Sequence, residues 1–334
     1  MTTTVGIPRG LLYHDYGTAM HAFLEACGAR VVVSPETNRE ILEAGLALCV
    51  DDACLPVKAF FGHADALADR VDVLFIPRFV SVERGAYVCP KLMGLPDMIR
   101  ARLRNAPAVL DTSVDAYRGM RRCLSSMLQR DAGDILGVGP RRLACALRNA
   151  LLAQAKDEYR GEPGAAALAR STRGRPDGQA RGDGPRSVYE RALTIGVLGH
   201  SYNLEDPYLS LNLIPRLGRM GVTAVTADDY SYGELKRWER RGRGRKRVFW
   251  TTGRKLIGAA QRWRVTGEVD GVIHLTSFGC GPESFVAEVI AADAARHGGI
   301  PLMVLNVDEH SGEAGMATRL EAFVDTVRMR QSAR

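Results

Sequence analysis

The sequence predicts an α/β fold made of two parallel-sheet halves. Short apolar runs of strand length alternate with stretches of helical periodicity. The alternation stops and restarts across a segment too poor in large apolar residues to build a core. Polar and sulfur-bearing residues collect at the carboxyl ends of the predicted strands, where open parallel sheets bind their ligands. At 334 residues the chain has the length of two ordinary domains.

Taken in order, Thr3 to Ile7 reads as a strand, Pro8-Arg9-Gly10 as a turn, and Tyr13 to Cys27 as a helix with Met20, Phe23 and Leu24 on one face. Arg30 to Val33 is the next strand, and Thr37 or Asn38 can cap a helix carrying Ile41, Leu42, Gly45, Leu46 and Leu48. Past Cys54-Leu55-Pro56 a further helix carries Val57, Phe60, Phe61, Ala64 and Leu67. Val71 to Pro77 is the third strand, Phe79 to Met93 a long loop, Leu95 to Leu103 a helix and Ala108 to Asp111 the fourth strand. Strands that alternate with helices in this way build a parallel sheet with helices on both faces, which sets an N-terminal α/β domain at residues 1–115.

Residues 116–160 read as a helical bridge, interrupted from Gly133 to Pro140. Residues 161–191 are rich in Gly, Pro and Arg (Arg170, Arg173, Arg175, Arg181, Arg186 and Arg191) and are expected to form a flexible insertion. A second alternating run fills residues 192–334, the C-terminal α/β domain. Its strands are Leu193 to Leu198, Val222 to Thr226, Gly271 to Thr276 and Leu302 to Val307. Its helices are Tyr208 to Met220, Ser231 to Trp238, Trp250 to Trp263 and Met316 to Met329. A further helical repeat, Phe285, Val286, Val289 and Ile290, follows Cys280. The two halves look like two copies of one architecture.

Composition narrows the function classes. Hydrophobic residues at 46% and charged residues at 25% are ordinary for a globular chain. No uncharged apolar run reaches the length of a membrane span, and the start MTTTVGIPRG lacks a basic segment followed by an apolar core, so a cytoplasmic location is expected. The net charge of +7 is concentrated between Lys236 and Arg247, where Lys and Arg outnumber the single Glu239. A run of that kind is usually solvated surface, and nucleic acid is not the expected partner. Seven widely spaced cysteines are an odd number and give no disulfide framework.

The strand ends hold the chemistry. They carry Gly6-Ile7-Pro8-Arg9-Gly10, Pro77-Arg78 with the Cys89 loop, Gly199-His200-Ser201-Tyr202-Asn203, the Gly279-Cys280-Gly281-Pro282 turn, and Asp308 to Gly315. Facing sheets would bring these loops to one cleft. Cys54, Cys89 and Cys280 are each followed within two residues by proline, which suits the first turn of a helix and leaves the sulfur at an element's end. A helix amino terminus favours a thiolate. Cys27, Cys49, Cys123 and Cys145 lie within helical patterns and are expected as core filler. Three turn thiols could hold zinc with a histidine, hold an iron–sulfur cluster, or stand as separate thiols, and their spacing fits no compact zinc finger.

Several phrases carry a resemblance. Gly6-Ile7-Pro8-Arg9, Asp51-Asp52-Ala53-Cys54-Leu55-Pro56-Val57-Lys58, Phe61-Gly62-His63, Ile76-Pro77-Arg78 and Cys89-Pro90-Lys91 with Gly94-Leu95-Pro96-Asp97 resemble the acyl-CoA dehydratase activase-related family. So do Asp206-Pro207-Tyr208, Ser277-Phe278-Gly279-Cys280-Gly281-Pro282 and Asp308-Glu309-His310-Ser311-Gly312-Glu313-Ala314-Gly315. That family is similar to the subunits of 2-hydroxyacyl-CoA dehydratases and benzoyl-CoA reductases and to double-cubane cluster proteins.

The resemblance implies two Rossmann-like (flavodoxin-like) domains with a [4Fe-4S] cluster in the cleft between them, held by three cysteines that match Cys54, Cys89 and Cys280; a double-cubane cluster is compatible with it. It also implies a partner, an ATP-hydrolysing iron–sulfur activase that delivers low-potential electrons. Relatives are often fused to that ATPase, whereas this sequence has no ATPase portion and no Gly-x-x-x-x-Gly-Lys-Ser/Thr loop, so a separate activase is expected.

Around the cluster, His310 with Glu309 and Glu313, and His200, are candidates for proton donation, support of a ligand or a fourth ligation. Arg9, Arg78 and Lys91 are candidates for holding an anionic substrate or offsetting cluster charge. Two functions from different classes follow. One is a reductive or radical enzyme component acting on a small substrate, with acyl-CoA among the candidates. The other is a non-catalytic electron carrier, scaffold or regulator of an activase, or a structural zinc protein. A homodimer is compatible with either.

Overall fold

The computed structural model describes residues 2–103, 107–127, 130–160, 193–241 and 247–333. The expected insertion at 161–191 and part of the basic run lie outside the described residues. The first half runs β1 (Thr4–Ile7), α1 (Tyr13–Cys27), β2 (Arg30–Val33), α2 (Arg39–Leu48), α3 (Leu55–Ala68), β3 (Val73–Phe75), β4 (Arg78–Ser81), α4 (Pro90–Arg102), β5 (Ala108–Leu110) and β6 (Ser113–Asp115). Helices α5 (Met120–Met127), α6 (Arg130–Leu136) and α7 (Pro140–Arg160) follow. The second half runs β7 (Thr194–Leu198), α8 (Ser201–Leu204), α9 (Leu213–Arg219), β8 (Thr223–Thr226), α10 (Tyr232–Arg241), α11 (Thr251–Thr266), β9 (Gly271–Ser277), α12 (Gly281–His297), β10 (Leu302–Val307) and α13 (Glu313–Ser332).

Each half carries a four-stranded, wholly parallel sheet, in the orders β2-β1-β3-β5 and β8-β7-β9-β10. In both, the first strand lies inside, the second pairs on one side of it and the third on the other. The chain therefore reverses direction between the first and third strands of each sheet, and the loops leaving those strands diverge to open a crevice. This is the Rossmann-like arrangement expected from the sequence.

Two stretches depart from the sequence reading. The expected loop from Phe79 to Met93 contains β4, which pairs in parallel with β6 as a separate ribbon, and its last residues open α4. Helix α4 starts at Pro90, the position where proline's missing N–H is harmless, five residues before the expected start at Leu95, and Pro96 falls inside it. The expected helix from Tyr208 begins only at Leu213, since Asp206 Oδ1 accepts the backbone N–H groups of Tyr208 (2.9 Å) and Leu209 (3.1 Å). Leu211 and Asn212 then take positive φ.

Packing joins the halves through α2 and α3. Leu42, Leu55 and Ala59 bury against the second sheet with Ile195, Leu275 and Leu305. The two helices touch backbone to backbone: a Cβ on Gly45 would sit 2.0 Å from the Lys58 carbonyl oxygen, and one on Gly62 1.8 Å from that of Ile41. Polar contacts span the seam between the halves. His63, with no exposed surface, is held by Ser34 Oγ (3.0 Å) and Thr37 Oγ1 (2.9 Å), and Thr37 donates to Asp206 of the second half. Glu83 meets Tyr232, Lys236 and Arg254. Helix α7 lies along α1, where Arg142 Nε donates to the Ala26 carbonyl (3.0 Å) and Gln154 Nε2 to that of Asp15 (3.0 Å).

Candidate functional site

Cys54, Cys89 and Cys280 are the N-cap residues of α3, α4 and α12, each in extended backbone conformation with proline in the first turn that follows. The three helices converge, and their thiols line one pocket with Leu11, Leu92, Tyr202 and Lys91. Cys54 and Cys280 are buried and Cys89 half-buried. Gly279, at φ +77°, brings the loop after β9 down on the Cys54 turn, where a Cβ would lie 3.5 Å from the carbonyl oxygens of Asp52 and Ala53. Lys91 Nζ fastens the two loops, donating to the Asp52 carbonyl (2.8 Å) and more weakly to that of Gly279 (3.4 Å).

The thiols differ in charge. A hydrogen bond from Cys280 pulls the Cys54 thiol down to about 7, and Lys91 assists. The same bond, with burial and Glu283, pushes Cys280 up. Burial also raises Cys89. The helix amino ends alone do not make all three thiolates, because desolvation works against them. Cys54 is thus the most acidic of the three thiols.

Beside Cys280 lies a closed set of polar side chains. His200 Nε2 is 3.8 Å from Cys280 Sγ and 4.0 Å from Glu283 Oε2, while His274 Nε2 is 3.9 Å from Glu283 Oε1. Glu283, 1% exposed, accepts from the His200 N–H (3.1 Å) and, at 3.4 Å each, from the Ser277 N–H and Asn203 Nδ2. Burial pushes its carboxyl up to about 8. Burial lowers His200 to about 3 and His274 to about 4, so both imidazoles are neutral, the form that ligates metals. His200, Cys280 and Glu283 form a group that could hold a metal ion, their ligand atoms lying within 4.8 Å of one another. Tyr202 stacks on His200 with centroids 4.7 Å apart and reaches the thiol pocket; burial keeps its hydroxyl protonated.

The structure brings Cys54, Cys89, Cys280, Lys91 and His200 together and leaves the other candidates elsewhere. Arg78 is committed to Asp97 (2.7 Å) and Asp111 (2.9 Å), and Arg9 to Glu36 (3.1 Å). His310 is exposed, with its backbone N–H on Asp308. Glu313 is exposed and pairs with Arg216. Glu309 meets the buried Lys58 ammonium at 2.6 Å, tying the loop after β10 to α3 one turn beyond Cys54. Of the four cysteines expected as filler, Cys27, Cys49 and Cys123 are buried but Cys145 is exposed. Helix α7 buries the face of Leu143, Ala146 and Ala150, and Cys145 points away from it.

Sequence reasoning passed over Glu283, His274 and Tyr202. Tyr202 sits inside the motif quoted for His200, Glu283 directly follows the Cys280 motif, and the signal for His274 is a lone polar residue in an apolar strand.

Among the described residues no helix is long and apolar enough to cross a membrane. Residues 4–229, more than half of the chain, match the family model described as the CoA enzyme activase uncharacterised domain. The match spans Cys54, Cys89, His200 and Tyr202 and stops short of Cys280. No curated protein matches the chain.

Proposed function

This chain belongs to the family of the CoA enzyme activase uncharacterised domain, and from that premise we propose that it is an iron–sulfur component served by a separate ATP-hydrolysing activase. Cys54, Cys89 and Cys280 would hold a [4Fe-4S] cluster. The observation that carries this reading is the meeting of three thiols from both halves, each at a helix amino terminus, in one pocket. The donor set fits: thiolates are the ligands of such clusters, and three of them leave one iron free for a substrate or another ligand. When bound, the cluster would supply one-electron chemistry at low potential.

The chain's own residues act around it. Three helix amino ends and the Lys91 ammonium offset the negative charge of ligated thiolates. Tyr202 presents a protonated hydroxyl in the same pocket, and neutral His200 stands against Cys280. A small substrate, with acyl-CoA among the candidates, would be reduced or dehydrated there with Tyr202 or His200 moving the proton.

A second reading is zinc bound in place of a cluster, which the His200, Cys280 and Glu283 group favours. Anaerobic purification followed by iron, sulfide and zinc counts separates the two. Iron and acid-labile sulfide in equal amounts, near four each per chain, are expected. Zinc alone, in protein never exposed to oxygen, would sink the cluster reading. Electron paramagnetic resonance of the reduced protein with and without acyl-CoA compounds then separates an enzyme, whose signal shifts with substrate, from an electron carrier, whose signal does not.

A further inference from the structure

The crevice between β1 and β3 is unlike the one between β7 and β9. In the second half that position carries His200 and Cys280; in the first it is a cavity with no charged side chain among the described residues that line it. Ile7 and Phe75 stand there at the strand ends, joined by Met20 of α1 and Phe60 of α3. Leu11 and Leu92 line both this cavity and the thiol pocket. The cavity offers about 20 Å³ to the centre of a water-sized body, more than the roughly 10–15 Å³ that one water needs. A water held there needs polar partners, which these six side chains do not offer. A methyl-sized group fits both the space and its walls.

Leu11 is the second observation. It is 3% exposed yet sits at φ +51°, a left-handed backbone that a bulky side chain adopts at a cost of about 1–3 kcal/mol. The loop is pinned in that shape: the Gly10 N–H donates to the Pro8 carbonyl (3.0 Å), and the Gly10 and Leu11 carbonyls accept from the N–H groups of Tyr13 (3.1 Å) and His14 (3.2 Å). Strain of this kind collects at ligand clamps. Glycine would make the same turn without it. The leucine side chain is therefore there for what it touches, the thiol pocket and the cavity alike.

We propose that the thiol pocket opens past Leu11 and Leu92 into this cavity, that the cavity seats the hydrocarbon end of the substrate, and that Leu11 sets how long that end can be. The inference rests on the reading that a substrate reacts at the thiol pocket, and it narrows the class to a short acyl thioester ending in an alkyl group. A carboxylate or ammonium at that end would be buried without compensation.

The test measures binding rather than turnover. Straight-chain acyl-CoA thioesters from acetyl to octanoyl are titrated calorimetrically into the anaerobically purified full chain. Affinity should rise about fourfold for each methylene that enters the cavity, the value of burying one CH₂, and fall once it is full. Succinyl-CoA, which places a carboxylate where butyryl-CoA has its methyl group, should bind about 10-fold more weakly or worse. Leu11→Ala should move the break to longer chains and raise the hexanoyl-to-butyryl affinity ratio by about fourfold or more, a ratio that loss of folded protein leaves unchanged. Affinity indifferent to chain length, or a break that Leu11→Ala does not move, overturns the proposal. Xenon diffused into crystals of the unsubstituted protein answers without any variant: density between Leu11, Phe60 and Phe75 supports the cavity, and none there refutes it. Iron and sulfide counts report on the cluster alone, so a protein that holds its iron and ignores chain length sinks this proposal and leaves the cluster reading standing.

Discussion

The two halves share one sheet order and place a cysteine at the same kind of position, yet the surroundings of those cysteines differ sharply. In the first half, Cys54 and Cys89 open α3 and α4 among Leu11, Val57 and Leu92, with Lys91 as the nearby charge. In the second, Cys280 opens α12 beside His200, Glu283 and His274. What is common is the helix amino end: Cys280 reaches the pocket from the turn after β9, Cys54 from the turn between α2 and α3, and Cys89 from the loop after β4. The loops explain the rest, since the first half offers thiols and apolar walls while the second adds buried groups able to hold a metal or move a proton. Duplicate scaffolds with unlike loops make one mixed site.

The largest expected effect tests whether both halves contribute. Cys54→Ala, Cys89→Ala and Cys280→Ala should each lower iron per chain at least 10-fold in anaerobic preparations, roughly the minimum cost of losing a direct ligand. If Cys280→Ala retains full iron while the other two lose it, the centre belongs to the first half alone. The comparison then breaks.

Next in size is the α2–α3 contact within the first half, the helix pair whose Leu42, Leu55 and Ala59 pack on the second sheet. A methyl group on Gly62 would overlap the Ile41 carbonyl at 1.8 Å, and backbone cannot move aside as a side chain can. Gly62→Ala should therefore destabilise by about 3 kcal/mol or more, measured by denaturant midpoint, and should lower iron content by displacing Cys54. Gly94→Ala, where a Cβ would meet nothing within 4 Å, is the matched control.

These contrasts also show what could be read from the chain. Strand and helix periodicity sufficed for both sheets, because the inner strands β1, β3, β7 and β9 are short, largely buried apolar runs. The cysteine–proline pairs marked the N-caps, since proline in a first turn is a local rule. Partnerships across the seam were not legible. Nothing near Glu309 in sequence names Lys58 of the other half, and even within the first half nothing near Arg78 announces Asp97 and Asp111. Glu283 was hidden for a different reason: an acid in a helix's first turn is ordinary, and only the fold shows that no water reaches it.

The titration of Glu283 sharpens the comparison further. Its carboxyl is raised by burial from 4.5 to about 8, so the folded metal-free protein binds a proton there that the unfolded chain releases. Stability from this group is fully present below pH 4.5 and is lost as pH rises toward 8. Between pH 5 and pH 8 the loss should be about 3–4 kcal/mol. Glu283→Gln, which cannot ionise, should flatten that part of the profile. An unchanged slope in thermal melts across this range would mean that the second half's carboxylate is solvated.

Lys91 supplies the smallest effect and the most direct probe of how the halves meet. Its ammonium sits where the Asp52 carbonyl of the first half and the Gly279 carbonyl of the second both face it, at 2.8 and 3.4 Å. Lys91→Met keeps the stem and removes both bonds, so stability should fall by about 1 kcal/mol. The thiol responds separately. Lys91 is one of the causes that lower Cys54 to about 7, after the bond from Cys280, so the thiolate absorbance of the metal-free protein should titrate at a higher pH in the variant. A lowered melting point with an unmoved thiol titration would make Lys91 a strut between loops and nothing more. A moved titration makes it the group by which the first half sets the charge of a site that it shares with the second.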